Sequence, residues 1–250
     1  MTRKYAVLGS PIEHSLSPLI HNYIFQALGT DASYDRFEVK SELSEFLEGK
    51  STYSGFSVTM PLKDLAFDVA AELSSTAINT SSVNTLLKVD GGFAGFNTDV
   101  FGIQAAIGFE PKSVSVLGSG ATSRSALYAF PKAKKYVFAR NQQVANALAD
   151  KFQAERVSLL QALESEVVIS TFPKGVLPEL IPENFSLGTL LDVSYVNPKI
   201  PANRYVSGLE MLMQQAVAQQ RIFQSGDELK PLPGEQELIL GLRELLFVAK

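Results

Sequence analysis

Apolar and polar positions group along the chain into short blocks that predict strands and helices in turn. Residues 5–9 form an apolar run that ends in glycine, which is typical of a buried strand. After Ser17 and Pro18, apolar side chains recur at helical spacing, with serine expected at the N-cap and proline in the first turn. The same reasoning predicts further strands at 37–39 and 55–58, a helix at 43–47, a helix from Pro61 whose apolar face includes Leu73, and a hairpin turn at Asp90-Gly91.

From residue 101 onward the pattern becomes a regular alternation of strand and helix. Strands are predicted at 114–117, 136–139, 167–170 and 190–193, with helices at 123–130 and 144–152 between the first of them. This rhythm predicts right-handed crossovers and a parallel sheet covered on both faces. Irregular chain marked by Pro198, Pro201 and Gly208 precedes a helix at 211–223, and an amphipathic stretch at 235–248 is expected to dock on the first domain.

Composition sets the class of protein. The chain has 250 residues, 46% hydrophobic and 19% charged, as in an ordinary globular protein of one large or two modest domains. A net charge of -4 argues against nucleic acid as the main partner, and the absence of cysteine excludes disulfide and thiolate chemistry. No apolar run approaches the ~18–20 residues of a membrane span, and the first residues lack a signal-peptide core. We therefore expect a cytoplasmic protein with no membrane partner.

A glycine-rich turn follows the first strand of the second region. Gly118 and Gly120 supply a tight turn and a close backbone approach where a strand runs into a helix, a pattern that predicts a pyrophosphate site. The third glycine of the G-x-G-x-x-G fingerprint is Ser123 here. The next predicted strand ends at Arg140, with no acid before Asp150, and an arginine at this place favours the 2′-phosphate of NADP over the ribose of NAD.

Lys63 and Asp99 stand in two short polar runs that a protein core does not require. A lysine held beside a carboxylate can donate a proton, or accept one when it is partly desolvated. Ser15 and Ser17, at a helix start, can offer hydroxyls to a substrate carboxylate. A lysine–carboxylate pair in a chain with a dinucleotide site predicts an oxidoreductase that transfers a proton and a hydride.

Six blocks, in order and spread over most of the chain, resemble the motifs of the shikimate dehydrogenase family. They are GSPIEHSLSPLIHN (9–22), SVTMPLK (57–63), VNT (83–85), GFNTD (95–99), GSGA (118–121) and GLEMLMQQ (208–215). The resemblance implies NADPH-dependent reduction of 3-dehydroshikimate to shikimate, in the pathway that supplies the aromatic amino acids. It also implies an α/β fold of two domains flanking a cleft: a substrate domain of residues 1–100 plus 213–250, and a Rossmann-like NADP domain of residues 101–212.

The resemblance assigns a role to each matching position. Lys63 and Asp99 look like the proton-transfer pair at the reacting C3 oxygen, and Ser15 and Ser17 match the carboxylate-binding serines. Residues matching those that hold the ring hydroxyls, or lie near the substrate, are Thr59, Asn84, Asp99, Tyr195 and Gln215. Residues matching the cofactor site are Gly118, Ser119, Gly120, Ala121, Arg140 and Gly208.

The chain departs from the family pattern at several positions, and other functions stay open. The family usually has Asn at position 57, Gly-Ala at 81–82, Gly at 210 and a basic residue at 144, where this chain has Ser57, Ser81-Ser82, Glu210 and Val144. The segment 197–208 is shorter than in the family. The alternatives are a dehydrogenase for quinate or a related polyol acid, including one that uses NAD, a shikimate-binding regulator without turnover, and a metal site at His14 and His21. A monomer or a homodimer is expected.

Overall fold

The computed structural model describes residues 2–183, 185–194 and 200–248. The chain divides into two compact units, the first of Met1–Thr98 with Met213–Lys250 and the second of Asp99–Leu212. Each unit is built on its own six-stranded sheet. The first unit is therefore made from two separate stretches of sequence.

The first unit contains a mixed sheet with strand order β2-β1-β3-β5-β6-β4. Its elements before residue 99 are β1 (Arg3–Gly9), α1 (Ser17–Ala27), β2 (Ala32–Glu38), α2 (Leu43–Glu48), β3 (Gly55–Val58), α3 (Lys63–Val69), β4 (Glu72–Leu73), α4 (Ser75–Thr80), β5 (Thr85–Val89) and β6 (Gly92–Phe96). Strands β2 and β3 run parallel to β1, whereas β5 is antiparallel to both β3 and β6. The Asp90-Gly91 turn joins β5 to β6, and Gly91 has the positive φ of 85° that such a turn needs.

The second unit has an all-parallel sheet with strand order β12-β11-β10-β7-β8-β9. Its elements are α5 (Asp99–Ile107), β7 (Ser113–Leu117), α6 (Ala121–Ala129), β8 (Lys134–Phe138), α7 (Gln142–Phe152), β9 (Glu155–Arg156), α8 (Leu159–Leu163), β10 (Val167–Ser170), α9 (Val176–Leu180), β11 (Leu187–Asp192) and β12 (Ala202–Ser207). From β7 the chain builds outward to β9, returns to the other side of β7 at β10, and builds outward again. This order is that of the Rossmann fold, so the predicted α/β class with a Rossmann-like parallel sheet is confirmed.

Three further helical segments complete the described chain: α10 (Gly208–Ser225), α11 (Glu235–Arg243) and a π-helical turn (Glu244–Val248). Residues 213–225 of α10 lie in the first unit, where Phe223 packs on the rings of Tyr5 and His21. Arg221 forms a two-pronged ion pair with Glu235, with N–O distances of 2.8 and 2.6 Å, which fixes the start of α11 against α10. No helix in the described ranges is long and apolar enough to cross a membrane.

The structure corrects the predicted elements at four places. Helix α1 begins at Ser17 itself, with Leu16 at the N-cap, and the Ser15 hydroxyl accepts a hydrogen bond of 3.3 Å from the Ser17 N–H. Leu73 lies in the short strand β4 instead of continuing α3, because Ala70 leaves the helix in an extended conformation. The chain after Pro201 is not irregular but forms β12, and α10 begins at Gly208, three residues before the predicted start.

Candidate active site

One edge of the first sheet collects most of the polar residues singled out from the sequence. Strands β1 and β3 are parallel and end side by side, so Ser10 and Thr59 follow them at the same edge. Strand β5 is antiparallel to β3 and starts there, and β6 ends there. Asn84 is thereby placed between its neighbours: the Val58 N–H donates to its carbonyl oxygen at 2.7 Å, and its own N–H donates to the Phe96 oxygen at 2.9 Å.

The Asn84 side chain is the centre of this edge. It is 2% exposed. Its Oδ1 accepts hydrogen bonds from the Thr98 N–H at 2.9 Å and from the Thr85 hydroxyl at 2.8 Å. Its Nδ2 lies 3.0 Å from the Thr98 hydroxyl and donates to Gln215 Oε1 at 3.2 Å. The structure therefore joins two predicted site residues, Asn84 and Gln215, that are 131 positions apart in the chain.

A second layer of buried polar side chains lies behind Asn84. Gln219, one helical turn after Gln215, donates from Nε2 to the Asn84 carbonyl oxygen and to the Thr85 hydroxyl, both at 3.0 Å. Its Oε1 accepts from the Ser57 hydroxyl at 2.8 Å and lies 3.1 Å from His21 Nε2. Ser57 in turn accepts a 2.5 Å hydrogen bond from Tyr34.

His21 belongs to this layer and is fully buried. Its ring stacks on Tyr34, with centroids 4.1 Å apart, and its Nδ1 lies 2.9 Å from Gln220 Nε2. Burial lowers the pKa of His21 to about 3, while the hydrogen bond to Gln219 opposes that shift, so the imidazole is neutral at neutral pH. Burial also raises the pKa of Tyr34. Because glutamine amides occupy both nitrogens of His21, the alternative of a metal shared with His14 does not fit the structure.

The remaining predicted substrate residues of the first unit sit around the same edge. Thr59 is half-buried directly after β3, and its N–H donates to the Leu8 oxygen at 2.9 Å. Lys63 begins α3, half-buried, and its carbonyl oxygen accepts from the Val83 N–H at 3.1 Å, one residue before Asn84. Ser15 and Ser17 lie at the start of α1, in the connection that follows β1; Ser17 is buried and Ser15 half-buried.

The second unit has its own candidate site where β7 and β10 end. The chain order reverses between these two strands, and ligands of open parallel sheets bind outside the strand ends at such a switch point. Gly118 follows β7 with a φ of 131°, and a Cβ there would run into the Thr171 side chain that follows β10. Thr171 donates to the Leu117 oxygen at 3.0 Å and lies 2.8 Å from the Ser123 hydroxyl. Glycine is thus required at 118 by backbone conformation and by close approach.

The predicted cofactor residues all lie at this edge of the second sheet. Ser119 and Gly120 lead into α6, which begins at Ala121, and a Cβ at Gly120 would meet nothing within 4 Å. The turn therefore presents open backbone at a helix N-terminus, which suits a phosphate. Arg140 is exposed directly after β8. Gly208 follows β12, and a Cβ there would come within 2.7 Å of the Asp192 oxygen, so only glycine fits.

Two predicted residues stand apart from these groups. Asp99 is 3% exposed and begins α5, in the second unit. Tyr195 lies outside the described residues. Three positions earlier in the chain, Asp192 ends β11 and accepts a hydrogen bond from the Ser194 N–H at 3.1 Å. Burial raises the pKa of the Asp192 carboxyl group, and that hydrogen bond opposes the shift.

Sequence reasoning missed three residues of the first site: Thr85, Thr98 and Gln219. Thr85 and Thr98 stand inside motifs that were recognised, but nothing in the motifs themselves shows which of their members meet. Gln219 carried a readable signal, because Gln215 and Gln219 share one face of a helix whose other residues from Met211 to Phe223 are largely apolar. Buried amides at that spacing indicate a polar partner on the facing element.

Comparison with known proteins supports the resemblance seen in the motifs. Residues 7–86 match the model of the shikimate dehydrogenase substrate binding domain. A shikimate dehydrogenase (NADP(+)) of Thermus thermophilus is 33% identical over 208 residues, which cover 77% of this chain and 78% of that protein. One of Staphylococcus aureus is 29% identical over 250 residues, or 90% and 93% of the two chains.

A longer relative and two solved structures extend the comparison. The chain matches a pentafunctional AROM polypeptide of Candida tropicalis at 37% identity over 175 residues, and spans only 11% of its length. The crystal structure of Mycobacterium tuberculosis shikimate dehydrogenase superimposes with a TM-score of 0.84 at 33% identity, covering 98% of this chain and all of that one. A Thermus thermophilus enzyme, solved with NADP(H) and shikimate, gives 0.81 at 29% identity, with coverage of 98% and 100%.

Proposed function

Because the chain belongs to the shikimate dehydrogenase family, we propose that it interconverts 3-dehydroshikimate and shikimate with NADP as cofactor. The observation that carries this proposal is the contact between Asn84 and Gln215 at the sheet edge where Lys63 begins α3. Two amides and a lysine gathered around one polar edge suit a polyhydroxylated acid, since such a ring needs many directed hydrogen bonds.

The substrate is assigned to a domain of residues 1–100 and 213–250, which takes in the whole first unit and also Asp99 and Val100. Ser15 and Ser17 bind the carboxylate, and the ring hydroxyls are held by Thr59, Asn84, Asp99 and Gln215, with Tyr195 near the ring. Lys63 and Asp99 exchange the proton at the C3 oxygen: a hydroxyl that loses hydride from its carbon must also lose its proton, and this pair receives it. Loss of either group slows the reaction more than it weakens binding.

The cofactor is assigned to the second unit, residues 101–212. The turn at 118–121 fits a pyrophosphate, since Gly118 permits the conformation and Gly120 leaves the backbone open. Arg140 offers a guanidinium to the 2′-phosphate, and Gly208 lies at the nicotinamide end. NADP, when bound, supplies or accepts the hydride; the chain's own residues bind and orient it.

The test is absorbance of the reduced nicotinamide on mixing the purified chain with shikimate and NADP, repeated with quinate and with NAD. A rise with shikimate and NADP supports the proposal. A larger rise with quinate or with NAD moves the assignment to the neighbouring polyol-acid dehydrogenases. No rise in any pairing, from folded protein that binds shikimate in calorimetry, favours a regulator. Light scattering of the same sample decides between monomer and homodimer, and fractionation tests the proposed cytoplasmic location.

A further inference from the structure

We propose that Gln219 is a positioning residue for the substrate site, acting with Thr85 to set which atoms of Asn84 and Gln215 face the ligand. The inference rests on the proposed function, because it concerns how the site holds its substrate. Gln219 donates a hydrogen bond directly to the carbonyl oxygen of Asn84. It also donates to the Thr85 hydroxyl, which in turn donates to the Asn84 side chain. No family motif quoted above contains Gln219.

Two backbone groups fix the orientation of the Asn84 and Gln219 side-chain amides. A backbone N–H can only donate, so Asn84 Oδ1 must be the atom that faces the Thr98 N–H at 2.9 Å. A backbone carbonyl can only accept, so Gln219 Nε2 must be the atom that faces the Asn84 oxygen at 3.0 Å. The two side-chain amides are therefore oriented by the main chain and cannot be exchanged end for end without losing a hydrogen bond.

The Thr85 hydroxyl links the Gln219 amide to the Asn84 amide and supports the orientation of both. It accepts from Gln219 Nε2 at 3.0 Å, and its single proton is thereby directed to Asn84 Oδ1 at 2.8 Å. The Thr98 N–H and the Thr85 hydroxyl therefore both donate to Asn84 Oδ1. The Nδ2 end of Asn84 is consequently held toward Gln215 Oε1, at 3.2 Å.

The same logic fixes the far end of the network. Gln219 Oε1 can only accept, so His21 Nε2 carries the proton of the neutral ring and Nδ1 accepts from Gln220. The Ser57 hydroxyl donates to Gln219 Oε1 and accepts from Tyr34. Each of these side chains is buried, so any reversal would leave a donor facing a donor away from water.

The consequence for the ligand lies at Gln215. Its Oε1 is used by Asn84, with the Thr98 hydroxyl also 3.4 Å away. Asn84 and Thr98 therefore both contact the acceptor end of the Gln215 amide, and its Nε2 donor end is directed toward other groups. A ring oxygen that accepts a hydrogen bond fits that end, and a network that let Gln215 turn over would present the wrong atom.

The test compares Thr85→Val with Thr85→Ser. Valine keeps the shape of threonine and removes the hydroxyl, whereas serine keeps the hydroxyl. We expect Thr85→Val to raise KM for shikimate about tenfold with KM for NADP changed less than about twofold, and Thr85→Ser to stay within about twofold of the wild type for both. Gln219→Met, which removes both donors at similar volume, should show the same split if Thr85→Val folds poorly.

Tyr5→Phe is the matched control, since it removes a buried hydroxyl that bonds α10 at Phe223 and has no link to Asn84. Both hydroxyl deletions should lower the unfolding temperature, but only Thr85→Val should change KM for shikimate. Equal KM effects of valine and serine, or equal effects on both substrates, overturn the inference. If the wild type itself is inactive, the proposed function fails, and NMR decides the inference: the Asn84 side-chain amide signal must move in Thr85→Val and not in Thr85→Ser or Tyr5→Phe.

Discussion

At the scale of single residues, we expect the removal of the Lys63 side chain to affect turnover far more than substrate binding. Lys63 begins α3, half-buried, with its backbone tied to Val83 beside Asn84. We expect Lys63→Ala to lower kcat by about 10²–10⁴-fold, the usual contribution of a positioned acid or base, while the shikimate dissociation constant changes less than about fivefold. Steady-state kinetics and calorimetry on one preparation give both values.

Lys88→Ala is the control for that experiment. Lys88 is an exposed lysine of β5 in the same unit, and its replacement by alanine changes the net charge by the same amount. It should leave kcat and binding as they are. Turnover of Lys63→Ala equal to that of Lys88→Ala would remove Lys63 from the proposed chemistry.

We expect Arg140 to set the preference for NADP over NAD through its charge and its position. It follows β8 at the edge where the glycine turn lies, since Leu117 of β7 pairs with Phe138 of β8. Arg140→Ala should raise KM for NADP about tenfold or more and leave KM for NAD nearly unchanged, because only NADP carries the 2′-phosphate that a guanidinium binds. Lys132→Ala, at the opposite end of β8, is the charge-matched control. An equal change for NADP and NAD would mean that Arg140 does not read the phosphate.

Several residues of the candidate site could be named from the sequence, but Thr85, Thr98 and Gln219 were missed, and the contacts among the residues could not be predicted. Asn84 and Gln215 each belong to a recognisable motif. Their hydrogen bond joins residues 131 positions apart, and no local sequence pattern predicts such a contact. His21 looked from the sequence like a helix residue or a remote metal ligand. Its actual role depends on Gln219 and Gln220, which pack against it only after α10 has docked.

At the scale of elements, the segment between α4 and β5 contains a buried hydroxyl whose removal should stabilise the protein. The family usually has Gly-Ala where this chain has Ser81-Ser82. Ser82 is fully buried, and its hydroxyl oxygen has no hydrogen-bond partner among the described residues. Because a buried hydroxyl without a partner costs about 1–3 kcal/mol, Ser82→Ala should raise the free energy of unfolding by about 1 kcal/mol in urea denaturation.

Ser57→Ala is the comparison for Ser82→Ala. It makes the same chemical change at a residue that is also buried, at 4% exposure, but whose hydroxyl is hydrogen-bonded to Gln219 and Tyr34. Its removal should lower the free energy of unfolding by at least about 1 kcal/mol. Effects of the same sign in the two variants would refute the assignment of Ser82 as an unsatisfied group.

Strands that are short apolar runs were predicted more accurately than a strand whose formation depends on its neighbour in the sheet. Strands β3 and β10 match their predicted bounds, because each is a short apolar run closed by polar residues. Strand β12 was missed: it is exposed along much of its length and begins just after Pro201, so its pattern resembles a loop. It is a strand because β11 provides a parallel partner from Leu187 to Asp192.

At the scale of the whole molecule, the buried His21 makes stability depend on pH. Its pKa is about 3 when folded and close to 6.5 when unfolded, so between these values only the unfolded chain binds the proton. The free energy of unfolding therefore falls as pH drops below about 6.5, with a limiting slope of about 1.4 kcal/mol per pH unit. The described groups around the ring are two glutamines, Tyr34 and Phe223.

The slope is measured as a difference between the wild type and His21→Phe, which keeps an aromatic ring beside Tyr34 and cannot titrate. Urea unfolding should be followed through NMR signals of the first unit, because two units can unfold separately. The difference should shrink from pH 6 to pH 4, because only the wild type loses this contribution as the pH falls. Parallel curves for wild type and His21→Phe would show that His21 does not supply the slope.

The discontinuous first unit also has a consequence for the order of events during synthesis. Residues 99–212 are contiguous and leave the ribosome before residue 213, so the second unit has its entire sequence available while the first still lacks Gln215, Gln219 and Gln220. Until these arrive, the nascent chain holds Asn84, Ser57 and His21 without the amides that satisfy them. Contacts of such sequence separation form slowly. We therefore expect the polar site of the first unit to be among the last parts of the nascent chain to form, because a polypeptide stalled before residue 219 emerges lacks the amides that complete it.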